Sequence, residues 1–210
     1  MKKIVFGLFC AMLFTGCISQ NPYIPIRYYQ IDESPLISRP CDRPLDACVA
    51  VLEIRARSRY DIKMLHRDES GKITYGEYDR WIETPTEMVT RLLIRALSES
   101  NAFRHVGPAR SLRSADYVVD GDILAFDSVS EGGGARAEFV VRLEVRHIDD
   151  SRVLWSNTIE TSVKMHADTG ASLAAAMSEA VRTALVGAVE EISDSVKADL
   201  SKSPPPNMGE

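Results

Sequence analysis

The chain has 210 residues, with 25 basic and 30 acidic side chains and a formal net charge of −5. This acidic balance argues against a charge-driven footprint on nucleic acid or on a phospholipid surface. Hydrophobic residues make up 45% of the chain, and this length suits one domain with a substantial core.

The first predicted element is a secretory signal peptide at residues 1–16. Lys2 and Lys3 precede an apolar run at residues 4–14. As a helix this run would span roughly 16 Å, whereas a bilayer core needs about 20 residues. The run is therefore too short to cross a membrane and is typical of a signal segment. Its removal would leave 23 basic and 30 acidic residues, a net charge of −7.

Small residues stand directly before a cysteine in the sequence Phe14-Thr15-Gly16-Cys17-Ile18. This order resembles the bacterial lipobox, with Phe14 in place of the usual leucine. The resemblance implies that Cys17 becomes the acylated N-terminus, and several acyl chains would hold the protein on a membrane. Ile18 replaces the aspartate that retains lipoproteins in the inner membrane, which implies the outer membrane. The alternative is an ordinary signal peptide followed by an incidental cysteine.

Cys41 and Cys48 remain in the exported domain and enclose residues 42–47. An exported domain meets oxidising conditions, so this pair predicts a disulfide. Closing so short a loop would stabilise the fold by only about 2–3 kcal/mol. Free thiols are one alternative, and a metal site is another, although the four histidines are scattered singly along the chain.

Residues 17–27 are predicted to form a tether from the membrane, because they contain prolines and few residues that indicate a helix or a strand. Strands are predicted next at residues 28–31 and 49–57, the second with clear alternation of apolar and charged side chains. A hairpin is predicted from residues 61–66 and 72–78, on either side of the turn sequence Asp-Glu-Ser-Gly.

The sequence Thr84-Pro85-Thr86-Glu87 predicts a helix start. Thr84 suits the N-cap, Pro85 the first helical position, and Glu87 the return bond of a capping box. Apolar residues then recur at spacings of three and four up to Leu97, and Asn101 is a natural stop.

Three further strands are predicted at residues 116–126, 136–148 and 153–165, joined by short turn sequences into an antiparallel meander. A long helix follows at residues 171–200, with one apolar stripe and many alanines. Together the elements predict a single α+β domain at residues 28–200, a mostly antiparallel sheet with two helices packed on one face. Residues 201–210 are predicted to be a disordered tail.

The search for chemistry predicts no reaction. Gly132-Gly133-Gly134 lacks the lysine of a phosphate-binding loop and indicates a hairpin turn. Four aspartates could approach a cation, but a solvated strand face is favoured, since oxygen cages need six or more ligands; they are Asp116, Asp120, Asp122 and Asp127. The sequence contains no G-x-S-x-G nucleophile motif. We therefore expect no enzyme activity, no cofactor and no metal.

Three stretches carry a family resemblance: residues 28–31 (YYQI), residues 72–97 (KITYGEYDRWIETPTEMVTRLLIRAL) and residues 115–127 (ADYVVDGDILAFD). With the lipobox, their order resembles the ABC-type transport auxiliary lipoproteins, the PqiC-like partners of MCE (mammalian-cell-entry) transport systems. The most specific part is Tyr78-x-x-Trp81 followed by the helix. The resemblance covers roughly residues 17–195.

The resemblance implies a non-enzymatic lipoprotein of the outer membrane that faces the periplasm and binds an MCE-domain protein bridging from the inner membrane. It also implies that homo-oligomers are possible. The candidate contact residues are Tyr28, Tyr29, Tyr78 and Trp81, although Trp81 is also a candidate core anchor. Two other hypotheses are a regulator of a peptidoglycan synthase and an unrecognised periplasmic hydrolase.

Overall fold

The structure of the protein is a computed structural model that describes residues 23–112 and 114–202. The predicted signal peptide, Cys17, the first part of the tether and most of the predicted tail lie outside the described residues. The nine strands are β1 Arg27–Tyr29, β2 Leu45–Val51, β3 Arg55–Ala56, β4 Lys63–Arg67, β5 Ile73–Trp81, β6 Phe103–Pro108, β7 Tyr117–Glu131, β8 Gly134–His147 and β9 Val153–Lys164. The two helices are α1 Pro85–Glu99 and α2 Gly170–Leu200.

All nine strands of the described chain belong to one mixed sheet, with β7 at its centre. On one side β7 pairs antiparallel with β8, and β8 pairs antiparallel with β9. On the other side β7 pairs parallel with β2, β3 and β4 in turn. Beyond these strands, β5 and β1 extend the sheet at one end of β7 and β6 extends it at the other. The predicted α+β fold is confirmed, and the meander of β7, β8 and β9 is antiparallel as expected.

Helix α1 begins as its sequence predicts. The Thr84 backbone N–H donates to Glu87 Oε2 at 2.9 Å, and the Thr84 hydroxyl accepts from the Glu87 backbone N–H. These two bonds form the expected capping box. The helix ends at Glu99, and Asn101 has a φ of 50°, which places it in the left-handed region.

Both helices cover the same face of the sheet and share one hydrophobic core with it. The buried stripe of α2 runs from Leu173 to Val196. By length and composition alone α2 could cross a membrane, the one helix among the described residues that could. However, 56% of its most apolar window is buried inside the fold. Such burial is typical of the core helix of a globular domain.

The opposite face of the sheet carries charges that pair with one another. Asp120 accepts from Arg146 at 2.7 Å and Asp122 from Arg55 at 2.9 Å. These two aspartates therefore neutralise neighbouring guanidinium groups on the strand surface, in agreement with the solvated strand face that the sequence favoured over a cation site.

The turn between β7 and β8 is formed by glycines. Gly132 and Gly133 have φ values of 56° and 81°, which suit a two-residue hairpin connection.

A buried polar cluster lies where β4 meets β7. Asp127 accepts from the Tyr60 hydroxyl at 2.7 Å and from Arg67 Nε at 3.0 Å. Burial raises the pKa of Tyr60 to about 12, with the Asp127 carboxylate adding to the shift. The hydroxyl of Tyr60 therefore stays protonated and able to donate, which satisfies a carboxylate that would otherwise be costly to bury.

The segment at residues 30–37, which we call the strap, was not predicted from the sequence, apart from a strand expected to extend to residue 31 and observed to end at Tyr29. It runs between α1 and α2, with Ile31 and Leu36 buried in the core. The Asp32 backbone N–H donates to Ser178 Oγ on α2 at 2.9 Å, and the Leu36 backbone N–H donates to Glu99 on α1 at 2.6 Å. The strap therefore ties the first strand to both helices.

Replacing Gly121 by alanine is expected to lower the free energy of unfolding by about 1–3 kcal/mol, because overpacking forces the backbone to shift. A Cβ at this position of β7 would overlap the Arg142 carbonyl oxygen and lie 2.7 Å from Leu143 Cδ2. Urea denaturation measures the change. Gly107→Ala on β6 is the control, since nothing lies within 4 Å of its added Cβ. Equal stability of the two variants would contradict the close approach of β7 and β8.

Candidate interaction surface

The predicted contact residues meet at one edge of the sheet, where β1 runs parallel to β5. In register, Arg27, Tyr28 and Tyr29 lie opposite Asp79, Arg80 and Trp81. We call the surface formed by residues 23–29 and 76–81 the β1 edge. Sequence reasoning named residues from both strands, and the structure brings the two strands together.

An ion pair joins β1 to β5 at this edge. Arg27 donates to Asp79 through Nε at 2.7 Å and through Nη2 at 3.1 Å. The Asp79 carboxylate raises the pKa of Arg27 through these hydrogen bonds and its charge. Asp79 also packs against the start of α2, where a Cβ at Gly170 would lie 2.6 Å from Asp79 Cγ. The pair is exposed, so it orients β1 more than it stabilises the fold.

A four-residue bulge in β5, at residues 76–79, shapes the rest of the edge. Lys63 of β4 pairs with Arg80, but Leu65 pairs with Tyr75, so residues 76–79 lie opposite one residue of β4. The Arg80 guanidinium closes the bulge by donating to the carbonyl oxygens of Gly76, Glu77 and Asp79. Bulges commonly redirect side chains at sheet edges.

Tyr78 lies within this bulge and is half-buried. Its hydroxyl donates to the Glu77 carboxylate at 2.7 Å. This hydrogen bond raises the pKa of Tyr78, because the carboxylate favours the protonated hydroxyl. Tyr78 therefore presents a neutral aromatic ring at the edge.

The four predicted contact residues differ in accessibility. Tyr28 is 56% exposed, Tyr29 is half-buried against the core, and Trp81 is only 1% exposed. The Trp81 ring packs edge-on against Phe126, with centroids 5.3 Å apart. Trp81 is thus a core anchor, and its interpretation as a direct contact residue is corrected by its burial.

Sequence reasoning missed the most exposed apolar residues of the edge. Tyr23 is 89% exposed, and Ile24 and Ile26 are 46% and 48% exposed. Because prolines lie beside these residues in the sequence, they were interpreted as part of the tether, and their side chains were given no role. The signal that could have found them is three large apolar residues within four positions of a linker, where polar residues are usual.

No disulfide joins Cys41 to Cys48, which are both free thiols in the structure. Cys41 lies beside the end of α1, where its N–H donates to the Ser100 carbonyl at 2.7 Å. Cys48 lies opposite His105 in the β2–β6 register. The predicted disulfide is therefore not supported, and the free-thiol alternative describes the structure.

Two open depressions lie outside the β1 edge. A groove of about 650 Å³ between α1 and the end of β2 is lined by both acidic and basic side chains. A cleft of about 930 Å³ lies at the tips of the β4–β5 and β7–β8 hairpins. Within residues 23–112 and 114–202, no group of three His, Cys, Asp or Glu side chains could hold a metal ion.

The chain is similar to a known family in sequence and to solved structures in fold. A family model described as the ABC-type transport auxiliary lipoprotein component matches residues 42–186. The crystal structure of protein XCC0632 from Xanthomonas campestris superimposes with a TM-score of 0.76 at 18% identity, covering 84% of this chain and 100% of that one. The hypothetical protein CT253 from Chlamydia trachomatis gives a TM-score of 0.55 at 14% identity, covering 73% and 99%. At these identities the structural likeness shows the fold alone. No curated protein matches the chain in sequence.

Proposed function

Because the chain belongs to the ABC-type transport auxiliary lipoprotein component family, we propose that it is an accessory subunit of an MCE-type system that moves lipids between two membranes. The observation that carries this proposal is the family match over residues 42–186, more than two thirds of the chain. The family supports a lipoprotein accessory role in transport. The MCE partner is the further step that we propose.

In this proposal the protein is held on the outer membrane by acyl chains on Cys17 and faces the periplasm. The lipoprotein family and the lipobox-like sequence before Cys17 support the anchor. The domain would then act by binding an MCE-domain protein that reaches across from the inner membrane, and it would carry out no reaction itself.

The open edge of β9 supports a binding role. This strand has twelve residues and, within the described chain, pairs only with β8. Edge strands are usually protected by prolines, bulges or short length. β9 contains no proline, and its register shift at Leu154 lies near its start, so residues 155–164 form a regular edge. An edge of this length suits a strand added by a partner or by a second copy of the chain. We place the partner contact at this edge.

Site-specific photo-crosslinking in intact envelopes tests the function. A photoreactive residue at Thr158, which is exposed on β9, is expected to capture an MCE-domain protein. The same residue at Glu53, exposed in the connection between β2 and β3, is the control and is expected to capture it far less. Capture of a peptidoglycan synthase from Thr158 instead would overturn the proposal in favour of the cell-wall alternative.

A further inference from the structure

We infer that the β1 edge is a second, non-covalent membrane contact, at which Tyr23, Ile24 and Ile26 enter the headgroup region of the bilayer. This inference rests on the lipid anchor of the proposed function. It assigns the exposed Tyr28 and the half-buried Tyr78 to the membrane side of the domain and not to the protein partner.

Exposed apolar side chains are concentrated at the start of the described chain. Four of the six residues at positions 23–28 are large, apolar or aromatic and exposed: Tyr23, Ile24, Ile26 and Tyr28. Single exposed apolar residues are ordinary on protein surfaces. A run of exposed apolar residues beside the β5 bulge that contains Tyr78 forms a larger apolar patch. Soluble domains rarely leave such a patch uncovered.

The chain length between the anchor and the edge fixes what can cover this surface. Tyr23 follows Cys17 by six residues, which span at most about 20–22 Å when fully extended. Tyr23 therefore stays within that distance of the acylated residue in every arrangement of the domain. The β9 strand lies five strand spacings farther across the sheet, about 24 Å away. The bilayer is thus the nearest large apolar partner of the β1 edge.

The chemistry of the edge suits a bilayer interface. Tyrosine is enriched where proteins meet the headgroup region, because its ring is apolar and its hydroxyl polar. The charges of the edge are engaged within the protein, since Arg27 pairs with Asp79, Glu77 accepts from the Tyr78 hydroxyl, and Arg80 binds the bulge carbonyls. Entry therefore depends on apolar contact and not on anionic lipid. We expect it to persist at high salt.

A contact at this edge would set the orientation of the domain. An acylated cysteine alone leaves the domain free to rotate about its linker. Residues 23–26 lead directly into β1, which is held on β5 in register and tied to both helices through the strap. Lipid contact at residues 23–26 therefore fixes the direction in which the whole sheet points, with the β9 edge turned away from the membrane.

Tryptophan quenching by brominated lipid tests the inference on the full, acylated protein in phosphatidylethanolamine–phosphatidylglycerol vesicles. Tyr23→Trp and Ile26→Trp are separate variants, and Thr158→Trp on β9 is the matched control. The wild-type signal of Trp81 and Trp155 is subtracted, and the emission of the added tryptophan at 23 or 26 is expected to be quenched, because interfacial tryptophans lie at the headgroup level. The control is expected to lose none.

The outcomes separate the inference from the proposed function. If the variants float with vesicles but Tyr23→Trp and Ile26→Trp are quenched no more than Thr158→Trp, the membrane contact is overturned while the lipoprotein role stands. Equal quenching at all three positions would mean that the domain has no fixed orientation on the membrane. This result would also overturn the inference and leave the lipoprotein role standing. If the protein does not float at all, the anchor fails, and both the proposed function and the inference fall with it.

Discussion

Cys17→Ala is expected to release the protein almost completely from the membrane. Acyl chains bind membranes at about 0.8 kcal/mol for each buried CH₂ group, and without the Cys17 sulfur the diacyl group has no attachment point. The lipid contact proposed at residues 23–26 would remain, but a few interfacial side chains give only weak, reversible binding. Fractionation of cells into membrane and soluble parts measures the shift.

Cys41→Ala is the control for this experiment, because Cys41 is an exposed thiol with no disulfide partner. It is expected to leave membrane association unchanged. Mass spectrometry of the wild-type protein provides the second readout and should find the acyl groups on the N-terminal cysteine. A Cys17→Ala protein that stays in the membrane fraction, or a mature N-terminus at another residue, would contradict the anchor.

Trp81→Ala is expected to lower the free energy of unfolding by about 3–5 kcal/mol, the range for removing a fully buried large aromatic ring. Trp81 is 1% exposed, and its ring packs against Phe126, which in turn packs edge-on against Phe139 with centroids 6.0 Å apart. The substitution leaves a cavity between β5 and β7 and removes one member of this aromatic row. Urea denaturation followed by circular dichroism measures the loss.

Trp155→Ala is the matched comparison on β9. Trp155 is half-buried, and its Nε1 donates to Glu191 of α2 at 2.7 Å. Its removal is expected to cost clearly less than removal of Trp81, because less apolar area leaves the core. If the two variants lose similar stability, Trp81 is not the central anchor that its burial indicates.

Local signals predicted the parts of the fold that are formed by neighbouring residues. The start of α1 followed from the side chains of Thr84 and Glu87, which bond each other's backbone within one turn. The β7–β8 turn followed from the ability of Gly132 and Gly133 to adopt positive φ. In both places the chemistry that determines the structure lies within a few positions of the chain.

Other features depend on residues distant in sequence and could not be predicted in this way. The parallel pairing of β2 with β6 spans the whole of α1, and no local pattern marks it. The same pairing places Cys48 opposite His105, whereas Cys41 lies beside Ser100. The disulfide prediction rested on a spacing of only seven positions in the sequence, which carries no information about these long-range neighbours. Of the candidate site, the sequence indicated Tyr28 and Tyr78 but not the exposed residues that precede β1.

The strap has a mechanical consequence. It joins Asp32 to Ser178 and Arg182, which follow it by 146 and 150 positions in the chain. Tension on the N-terminal tether reaches β1 first, because β1 precedes the strap in the chain. If β1 separates from β5, further extension must break the contacts of the strap with both helices. The strap would therefore confine mechanical unfolding to this three-residue strand.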